Sequence, residues 1–578
     1  MFDKIEVEFC YRKDGQTRCA RFAREYVNED FRAELIYKKS GKQELLTLNL
    51  HPSTELEIES LSMKLPFIYY ANSRIFVNGY QSWTDSQEMP LHGRIKRISP
   101  LAKPIIKKFQ LKKYGDYLFH KYSGKRGVFH GYTYTYIRNG KEYDFYGSLS
   151  ERSGYTIFEQ NVKDKCMIIR KDCQKITIDS QYCAFELFHT MGDGNRVFDA
   201  YFKAMNIKPP RVKPATGWTS WYNYYQNINH DIIMENVENF KETQHKIDIF
   251  QIDDGYQTAV GDWLSIDEIK FPRGMQYLAD KIHEEGYQAG LWLAPFVCES
   301  TSAIFKEKSD WLLRDSQGQP MKAGSNWSGF YALDFYHPEV REYLKEVFRI
   351  VLQEWGYDLV KLDFLYAVCI LPRRDKTRGQ IMTEAMEFLR ECVGDKLILG
   401  CGVPLGPSFG LVDYCRIGCD ISLDWDDKPY MRLLHRERIS TRNAIGNAIG
   451  RRHLDGRAFL NDPDVFLLRE DNISLTEDQK KLLATVNRLF GKLLFTSDNL
   501  KKYSSEQMYL FDQTLQPFLG RIDHVDYQGE SLVEVVYQED NIRYSLLLNL
   551  CDREQEYHGN LITGKIKVKP FGMHLTRK

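Results

Sequence analysis

The first 205 residues alternate apolar and polar side chains over many short segments. These segments are rich in Tyr, Phe and Thr, and Gly, Asn and Asp residues separate them. Alternation with a period of two buries one face of a segment and exposes the other, as in a β-strand. Many short strands bounded by turn residues predict an antiparallel β-sandwich. Representative segments are residues 5–10, 33–38, 44–50, 128–138 and 156–160.

The pattern changes after residues 208–214, where three prolines predict an extended linker. Beyond it, short apolar segments alternate with segments of helical period, which indicates βα units and a parallel sheet. Eight strands separated by helices favour a (β/α)8 barrel, whose functional side chains lie at the carboxyl ends of the strands. The predicted strands are residues 216–221, 247–253, 288–296, 359–364, 397–402, 413–418, 458–462 and 493–497. The predicted helices are residues 230–243, 272–285, 338–355, 379–393, 430–448 and 476–489.

Period-two alternation returns beyond about residue 505, at residues 531–537, 543–548 and 565–569. This predicts a small C-terminal β domain. The predicted fold class is therefore multidomain α/β: a (β/α)8 barrel flanked by an N-terminal antiparallel β-sandwich and a small C-terminal β domain. The predicted domains are residues 1–205, 206–504 and 505–578.

Composition and charge narrow the class of partner. The chain is 43% hydrophobic, and its 79 Lys and Arg residues equal its 79 Asp and Glu residues in number. The net charge thus gives no attraction to nucleic acid or to an anionic membrane, and we expect neither as a partner. The sequence contains no run of 18 or more apolar residues, so we expect no membrane-spanning helix. A neutral small molecule such as a sugar is the expected partner. The sequence is also compatible with a homo-oligomer.

The N-terminus and the cysteines bear on the compartment. Residues 1–9 alternate polar and apolar side chains and lack the basic and then apolar profile of a signal peptide. The 12 cysteines are scattered without a CxxC pair, and several lie in apolar segments. We therefore expect buried free thiols in the cytoplasm, not a disulfide framework or a zinc site.

Polar residues follow nearly every predicted barrel strand. In the fourth strand, Lys361 and Asp363 interrupt an otherwise apolar segment, which is costly unless the charges pair or act on a ligand. A structural ion pair is one explanation, but it does not account for carboxylates at several strand ends. These are Asp253 and Asp254 after the second strand, Asp363 after the fourth, Asp420 after the sixth, and Asp462 and Asp464 after the seventh.

Such a set of carboxylates has two chemical interpretations. In glycoside hydrolysis one carboxylate attacks or stabilises the anomeric centre and another protonates the leaving oxygen. Asp363 is then the nucleophile, kept ionised by Lys361 on the same face of the strand, and Asp420 is the general acid. The alternative is a metal site with Asp253, Asp254, Asp363 and Asp420 as oxygen ligands. A Lys beside the central Asp competes with a cation, and no His lies at a predicted strand end, which favours hydrolysis.

Seven segments, in chain order, resemble glycoside hydrolase family 36, the α-galactosidases. Each motif alone is weak evidence, whereas seven in register across the barrel are specific. The segment that ends at Trp83, Val77-Asn-Gly-Tyr-Gln-Ser-Trp83, also resembles the N-terminal sandwich of that family. The seven segments are Gly217-Trp-Thr-Ser-Trp221, Gln251-Ile-Asp-Asp-Gly-Tyr256, Gly290-Leu-Trp-Leu-Ala-Pro-Phe296, Val360-Lys-Leu-Asp-Phe364, Gly400-Cys-Gly-Val-Pro404, Arg416-Ile-Gly-Cys-Asp420 and Phe459-Leu-Asn-Asp-Pro-Asp464.

The resemblance implies a retaining double displacement with Asp363 as nucleophile and Asp420 as acid/base, and it implies no cofactor. It also implies that Asp253 and Asp254 bind the hydroxyl groups that distinguish galactose. Trp83 is expected to reach the pocket from the sandwich domain, although composition alone allows a sandwich core residue equally well. The other predicted substrate-binding residues are Trp221, Trp292, Lys361, Cys401, Gly402 and Arg416.

Two features depart from the family pattern. The chain after Asp420 is unusually acidic, with Asp424 and two further Asp residues, and the motif of the fifth strand is Cys-Gly-Val-Pro-Leu. Both lie where the leaving group would sit, so the sequence does not define the aglycone. Asp424 could replace Asp420 as the acid, but a solvated loop residue is the favoured interpretation. Transglycosylation, hydrolysis of an α-N-acetylgalactosaminide and carbohydrate binding without catalysis are the alternative functions.

Overall fold

The computed structural model describes residues 2–243, 246–373, 375–426, 435–558 and 565–577. It contains two antiparallel sheets, then a ring of parallel strands, then a small antiparallel sheet. This order confirms the predicted fold class. The domain boundaries at residues 205 and 504 stay predictions.

The two N-terminal sheets pack face to face. Phe9 and Met63 of one sheet and Leu48 and Phe185 of the other belong to one buried apolar core. The seven-stranded sheet contains Glu6–Lys13, Gln16–Phe22, Leu56–Pro66, Val128–Tyr132, Thr156–Asn161, Cys166–Lys171 and Thr177–Ile178. The eight-stranded sheet contains Tyr26–Val27, Phe31–Ser40, Gln43–Pro52, Arg74–Val77, Gln87–Pro90, Tyr134–Asn139, Glu142–Ser148 and Tyr182–Gly192.

Eight parallel strands form the barrel. The first seven strands pair in chain order, and the first also pairs with the eighth, with Ala215 opposite Leu493. A bridge between Phe466 and Thr496 brings the seventh and eighth strands together. All eight predicted strands are confirmed: Ala215–Thr219, Ile249–Ile252, Gln288–Leu293, Leu359–Leu362, Leu397–Gly400, Tyr414–Arg416, Leu460–Asp462 and Leu493–Thr496.

Helices surround this ring and present apolar faces to it. Helix Pro338–Arg349, for example, buries Val340, Leu344, Val347 and Phe348, which recur every three or four residues. Helix Gly194–Ala204 packs against the sandwich strands Tyr182–Gly192 and Glu142–Ser148. The α-helices described after the first barrel strand are Trp221–Tyr224, His230–Asn239, Gly274–Glu284, Ala303–Glu307, Pro338–Arg349, Arg378–Val393, Leu405–Ser408, Thr441–Gly450, Glu477–Phe490 and Ser505–Leu515.

Two predicted helices differ from the observed ones. The helix predicted at residues 338–355 is α-helical only to Arg349, and the π-helical turn Ile350–Glu354 completes it. The helix predicted at residues 430–448 begins only at Thr441, because the Ser440 hydroxyl accepts the backbone N–H of Asn443 and caps the helix there. Residues 430–434 of that prediction lie outside the described residues.

The sandwich also departs from prediction at two points. Residues 128–138 form two strands, which are separated at Thr133, where φ is +67°. The expectation of free thiols throughout was wrong for one pair, because Cys10 and Cys19 form a disulfide. These residues lie directly opposite each other on adjacent antiparallel strands, with their Cα atoms 4.1 Å apart. Ten other cysteines are free, and seven of them are buried.

Two smaller sheets complete the fold. A three-stranded sheet follows the third barrel strand and contains Val297–Glu299, Lys322–Gly324 and Phe330–Ala332. The C-terminal sheet contains Arg521–Gln528, Leu532–Glu539, Ile542–Asn549 and Met573–Arg577, and a separate pair contains Gln555–Tyr557 and Ile566–Val568. Among the residues described, no helix is both long and apolar enough to cross a membrane.

Candidate active site

A cavity of about 370 Å³ opens at the carboxyl ends of the barrel strands. Trp83 enters its wall from the sandwich, more than a hundred residues before the barrel begins. Eight of the eleven predicted site residues line this one cavity: Trp83, Trp221, Asp253, Asp254, Trp292, Lys361, Asp363 and Asp420. Cys401, Gly402 and Arg416 do not line it but contact residues that do.

Asp363 lies at the end of the fourth strand, and the residue as a whole is only 8% exposed. Its Oδ2 atom accepts a hydrogen bond from Nε1–H of Trp292 at 3.0 Å, and its Oδ1 atom accepts the backbone N–H of Phe364 at 2.9 Å. Burial raises the pKa of Asp363, while the positive charge of Lys361 and the Trp292 hydrogen bond oppose that rise. The carboxylate is therefore positioned by two donors in a site that water reaches poorly.

Lys361 forms its ion pair with Asp253 and not with Asp363, the residue whose ionised state it is predicted to favour. Its Nζ atom lies 2.8 Å from Oδ2 of Asp253 at the end of the second strand, and both side chains are buried. Lys361 and Asp253 meet over the end of the third strand, which lies between the fourth and second strands. Lys361 thus acts on Asp363 only through its nearby charge, which lowers the pKa of that carboxyl against the effect of burial.

The two carboxylates after the second strand have dense hydrogen-bond networks. Asp253 accepts from Lys361, from the side chain of Gln251 at 2.8 Å and from the backbone N–H of Asp254 at 3.0 Å. Asp254 accepts from the amide of Gln257 at 2.6 Å and from Nε1–H of Trp327 at 2.8 Å. Burial raises the pKa of Asp254 to about 6. This carboxyl consequently changes its charge close to neutral pH.

Arg416 organises the carboxylates of the sixth and seventh strands. Its guanidinium donates to Asp420 at 2.7 Å and to Asp462 at 3.1 Å, and it lies 2.9 Å from Asp464. Burial raises the pKa of Asp464 to about 7, although Arg416 beside it acts in the opposite direction. The Asp420 side chain is 30% exposed, far more than that of Asp363. Asp420 can therefore meet a group that enters from solvent.

Trp83 joins the sandwich to the fifth barrel strand. Its indole Nε1–H donates to the sulfur of Cys401 at 3.3 Å, and its ring packs edge-on against Phe364 with the ring centroids 5.1 Å apart. Gly402 has φ +54°, and a Cβ atom there would lie 3.0 Å from the Trp83 ring and from the Phe364 backbone nitrogen. Glycine at this position therefore allows the indole to form the cavity wall.

Several cavity residues were not predicted. Tyr114 and Phe109 come from the sandwich part of the chain, and Trp327 comes from the insertion after the third strand. The Tyr114 hydroxyl accepts the backbone N–H of Ser325 at 2.9 Å and thereby fixes the loop that carries Trp327. None of these positions follows a barrel strand, so the pattern of strand ends could not indicate them. The other unpredicted lining residues are Leu111, Ser325, Asn326, Phe364, His435, Glu437, Arg438 and Ile439.

Two alternative roles for the carboxylates, metal binding and an acid role for Asp424, concern the same strand ends. Within the described ranges, His, Cys, Asp and Glu side chains form no group of three or more that could hold a metal ion. Lys361 instead holds the Oδ2 atom of Asp253. Asp424 is partly buried in the loop after the sixth strand and is not one of the residues that line the cavity, whereas Asp420 is.

Comparison with known proteins agrees with the resemblance drawn from the motifs. A family model described as melibiase matches residues 211–388. The α-galactosidase Mel36A of Lactobacillus acidophilus is 28% identical over 185 residues, which are 31% of this chain and 23% of that relative. The sequence match therefore spans about a quarter of the length of this curated relative.

Solved structures match over nearly the whole chain. The α-galactosidase TtGalA of Thermus thermophilus, in complex with p-nitrophenyl α-D-galactopyranoside, superposes with a TM-score of 0.68 at 27% identity. The match covers 87% of this chain and 98% of that one. The family 36 α-galactosidase AgaA of Geobacillus stearothermophilus has a TM-score of 0.61 at 12% identity over 97% of this chain and 82% of its own, which shows a shared fold.

Proposed function

We propose that this chain, which resembles the family 36 α-galactosidases in the fold of its domains and the motifs of its barrel, hydrolyses terminal α-galactosides. The observation that carries this proposal is the placement of Asp363 and Asp420 in the wall of one cavity, with Asp253, Asp254 and Lys361 beside them. A pair of carboxyl groups on either side of a glycosidic bond is what this hydrolysis requires.

In the first step, a carboxylate oxygen of Asp363 attacks the anomeric carbon, and the bond to the leaving oxygen breaks. Asp420 transfers its proton to that oxygen, so the aglycone departs as an alcohol. The products of this step are a galactosyl ester of Asp363 and an ionised Asp420. The low exposure of Asp363 and the greater exposure of Asp420 support these roles, because the leaving group exits toward solvent.

In the second step, ionised Asp420 removes a proton from water as the water oxygen attacks the anomeric carbon. The ester bond to Asp363 breaks, galactose leaves with its original anomeric configuration, and both carboxyl groups return to their starting states. The indole of Trp292 and the backbone N–H of Phe364 donate hydrogen bonds to Asp363. These donors stabilise its carboxylate before it attacks and after the ester bond breaks. This retaining course follows from the resemblance to the family and is part of the proposal.

Sugar recognition is proposed for the carboxylates after the second strand and for the aromatic walls. Asp253 and Asp254 offer acceptor oxygens to the hydroxyl groups of the sugar. The buried ammonium group of Lys361 balances the charge of Asp253. Trp83, Trp292 and Trp327 supply apolar faces in the same cavity. Small α-galactosides are accordingly the proposed substrates, and the cytoplasm is the proposed compartment on the basis of the free thiols.

A panel of aryl glycosides tests the proposed function. The aryl α-galactoside should be cleaved at least about 100-fold faster, in kcat/KM, than the β-galactoside, the α-glucoside and the α-N-acetylgalactosaminide. Retention should show as α-galactose in the first product seen by NMR. Addition of a sugar acceptor distinguishes transglycosylation, which would yield a new disaccharide instead of free galactose. Absence of turnover on every α-galactoside, with sugar binding preserved, would instead identify a carbohydrate-binding protein.

A further inference from the structure

Residues 94–126, the basic segment, carry a charge excess that the balanced whole chain conceals. They contain eleven Lys and Arg residues but a single acidic residue, Asp116. The remainder of the chain therefore has 68 basic and 78 acidic residues, a net charge of −10. Ten of the eleven basic side chains are exposed: Arg94, Lys96, Arg97, Lys103, Lys107, Lys108, Lys112, Lys121, Lys125 and Arg126.

Across the parts of the chain that the structure describes, the eleven basic side chains of the segment make no direct ion pairs with a carboxylate, although Asp85, Asp426 and Glu530 line the same pocket as Arg94, Lys96 and Arg97. The single acid, Asp116, is fully buried and accepts hydrogen bonds from the hydroxyls of Tyr122 at 2.6 Å and Tyr132 at 2.8 Å. Its charge is therefore directed inward, and the outer surface of the segment is positive.

Large apolar side chains are exposed among these cations. Leu101 is 94% exposed, Ile105 39%, Phe109 44% and Leu118 42%. The first three are spaced four residues apart, in the 3-10 turn Pro100–Ala102, in the helix Lys103–Lys108 and at its C-cap, and these three exposed side chains are here called the apolar face of the segment. Lys103, Lys107 and Lys108 lie within the same turns. An apolar face flanked by lysines is typical of helices that lie in a membrane surface.

The basic segment lies beside the mouth of the cavity, where Phe109, Leu111 and Tyr114 form part of the wall. The hydroxyl of Tyr117 donates to Glu437 at 2.8 Å and accepts the backbone N–H of Arg436 at 2.7 Å. Phe109 belongs both to the exposed apolar face and to the cavity wall. Ile439, across the same mouth, is 49% exposed. A surface that contacts the basic segment would therefore also meet the entrance of the active site.

We propose that the basic segment docks the mouth of the cavity onto an anionic phospholipid surface. Lipid phosphates complement the exposed lysines and arginines, and the acyl boundary accepts Leu101, Ile105 and Phe109. A protein partner fits less well, since the buried parts of protein interfaces are depleted of lysine. A soluble anion would satisfy the charges but would leave the apolar side chains in water.

Vesicle co-sedimentation of the full-length protein tests this proposal directly. We expect binding to phosphatidylcholine vesicles that contain roughly 30 mole per cent phosphatidylglycerol, at least about tenfold tighter than to pure phosphatidylcholine. High salt should weaken it, because the attraction between exposed charges is screened. Equal affinity for both vesicle types, or no sedimentation with either, would overturn the proposal. The basic segment would then be assigned to binding of an acidic protein or a soluble ligand.

Charge and apolar variants separate the two contributions. Lys103→Glu, Lys107→Glu and Lys108→Glu together should weaken binding to the anionic vesicles about 100-fold, since each lysine near such a surface contributes roughly a fivefold factor. The matched control reverses three exposed lysines elsewhere in the sandwich, Lys38, Lys42 and Lys175, and should bind as the parent protein does. Leu101→Ser with Ile105→Ser should remove the part of the binding that survives high salt.

Two further measurements complete the test. Titration with inorganic phosphate should show no saturable binding, and a phosphate affinity that the Lys103, Lys107 and Lys108 reversals abolish would point to a soluble-anion site and overturn docking. The lysine variants should keep the parent thermal unfolding transition and the parent rate on a small aryl α-galactoside. Because vesicle binding requires no turnover, an inactive protein that binds anionic vesicles would refute the proposed hydrolase and not the docking surface.

Discussion

Lys361 forms its ion pair with Asp253, 2.8 Å away over the end of the third barrel strand, although Asp363 lies only two residues further along the chain from Lys361. The pair connects the proposed sugar-binding carboxylates with the strand that bears the proposed nucleophile. Its charge still reaches Asp363, whose pKa it lowers against the effect of burial. One buried cation therefore acts on two carboxylates with different proposed roles.

Removal of this cation should affect binding and stability together. Lys361→Met leaves Asp253 buried without its counter-charge, and we expect a loss of about 3–5 kcal/mol in the free energy of unfolding. The double variant with Asp253→Asn should recover part of that loss, because the unpaired charge is gone. Denaturant unfolding of the parent, both single variants and the double variant measures the coupling. Strictly additive losses would show that the pair is not energetically coupled.

Replacement of Asp363 should stop the proposed reaction at its first bond. Asp363→Ala is expected to lower kcat on an aryl α-galactoside by at least about 1,000-fold, since no other carboxylate occupies its place. Azide added to this variant should restore release of the aryl group and yield β-galactosyl azide, identified by NMR. Asp424→Ala is the matched control and should retain the parent rate. Retention of more than a few per cent of activity by Asp363→Ala would refute the nucleophile assignment.

The role of Asp420 is tested by varying the leaving group. Asp420→Ala should lower the rate on galactosides with poor leaving groups, such as another sugar, by about 100-fold or more. The rate of bond cleavage on an aryl galactoside with an acidic leaving group should fall much less, because that group departs without protonation. The measurement is the slope of the logarithm of the cleavage rate against the pKa of the leaving group, for the parent and for Asp420→Ala. An equal loss across the series would mean that another group supplies the proton.

Asp254 gives the site a dependence on pH. Its pKa of about 6 in the folded protein exceeds the ordinary value of 3.8, so folding disfavours its ionised form. Its contribution to stability is therefore present below pH 3.8 and is lost as the pH rises through about 6. Binding should change in the opposite direction, because only the ionised carboxylate accepts hydrogen bonds with both oxygens. We expect the affinity for galactose, measured by calorimetry, to weaken below pH 6 and Asp254→Asn to remove that dependence.

Gly402 is expected to resist substitution for a steric reason. An alanine Cβ would lie 3.0 Å from the Trp83 ring and from the Phe364 backbone nitrogen, in addition to requiring φ +54°. Gly402→Ala should cost about 2 kcal/mol or more and raise KM, since Trp83 and Phe364 form the cavity wall. Gly456→Ala is the control, because φ there is +70° with no atom within 4 Å of the added Cβ. Equal losses in both variants would attribute the effect to backbone conformation alone.

The predicted barrel was recoverable because each strand is a short apolar segment that ends in polar residues. That pattern is local, and it located Asp363, Asp254 and Asp420 at strand ends without knowledge of any contact. The apolar pattern did not determine where helices begin and end. The helix predicted at 430–448 begins at Thr441, because the cap at Ser440 determines its start more strongly than the apolar spacing does.

The sequence by itself determined the fold class, the order of the barrel strands and the carboxylates at their ends, because these depend on periodicities of two and of about 3.6 residues. Tertiary structure alone decided which charges meet. Lys361 reaches Asp253, 108 residues away in the chain, and Trp83 reaches Cys401, 318 residues away. It also placed Phe109 and Tyr114 at the cavity. The physical reason is that contacts between distant segments depend on how sheets and strands pack, which a local pattern does not contain.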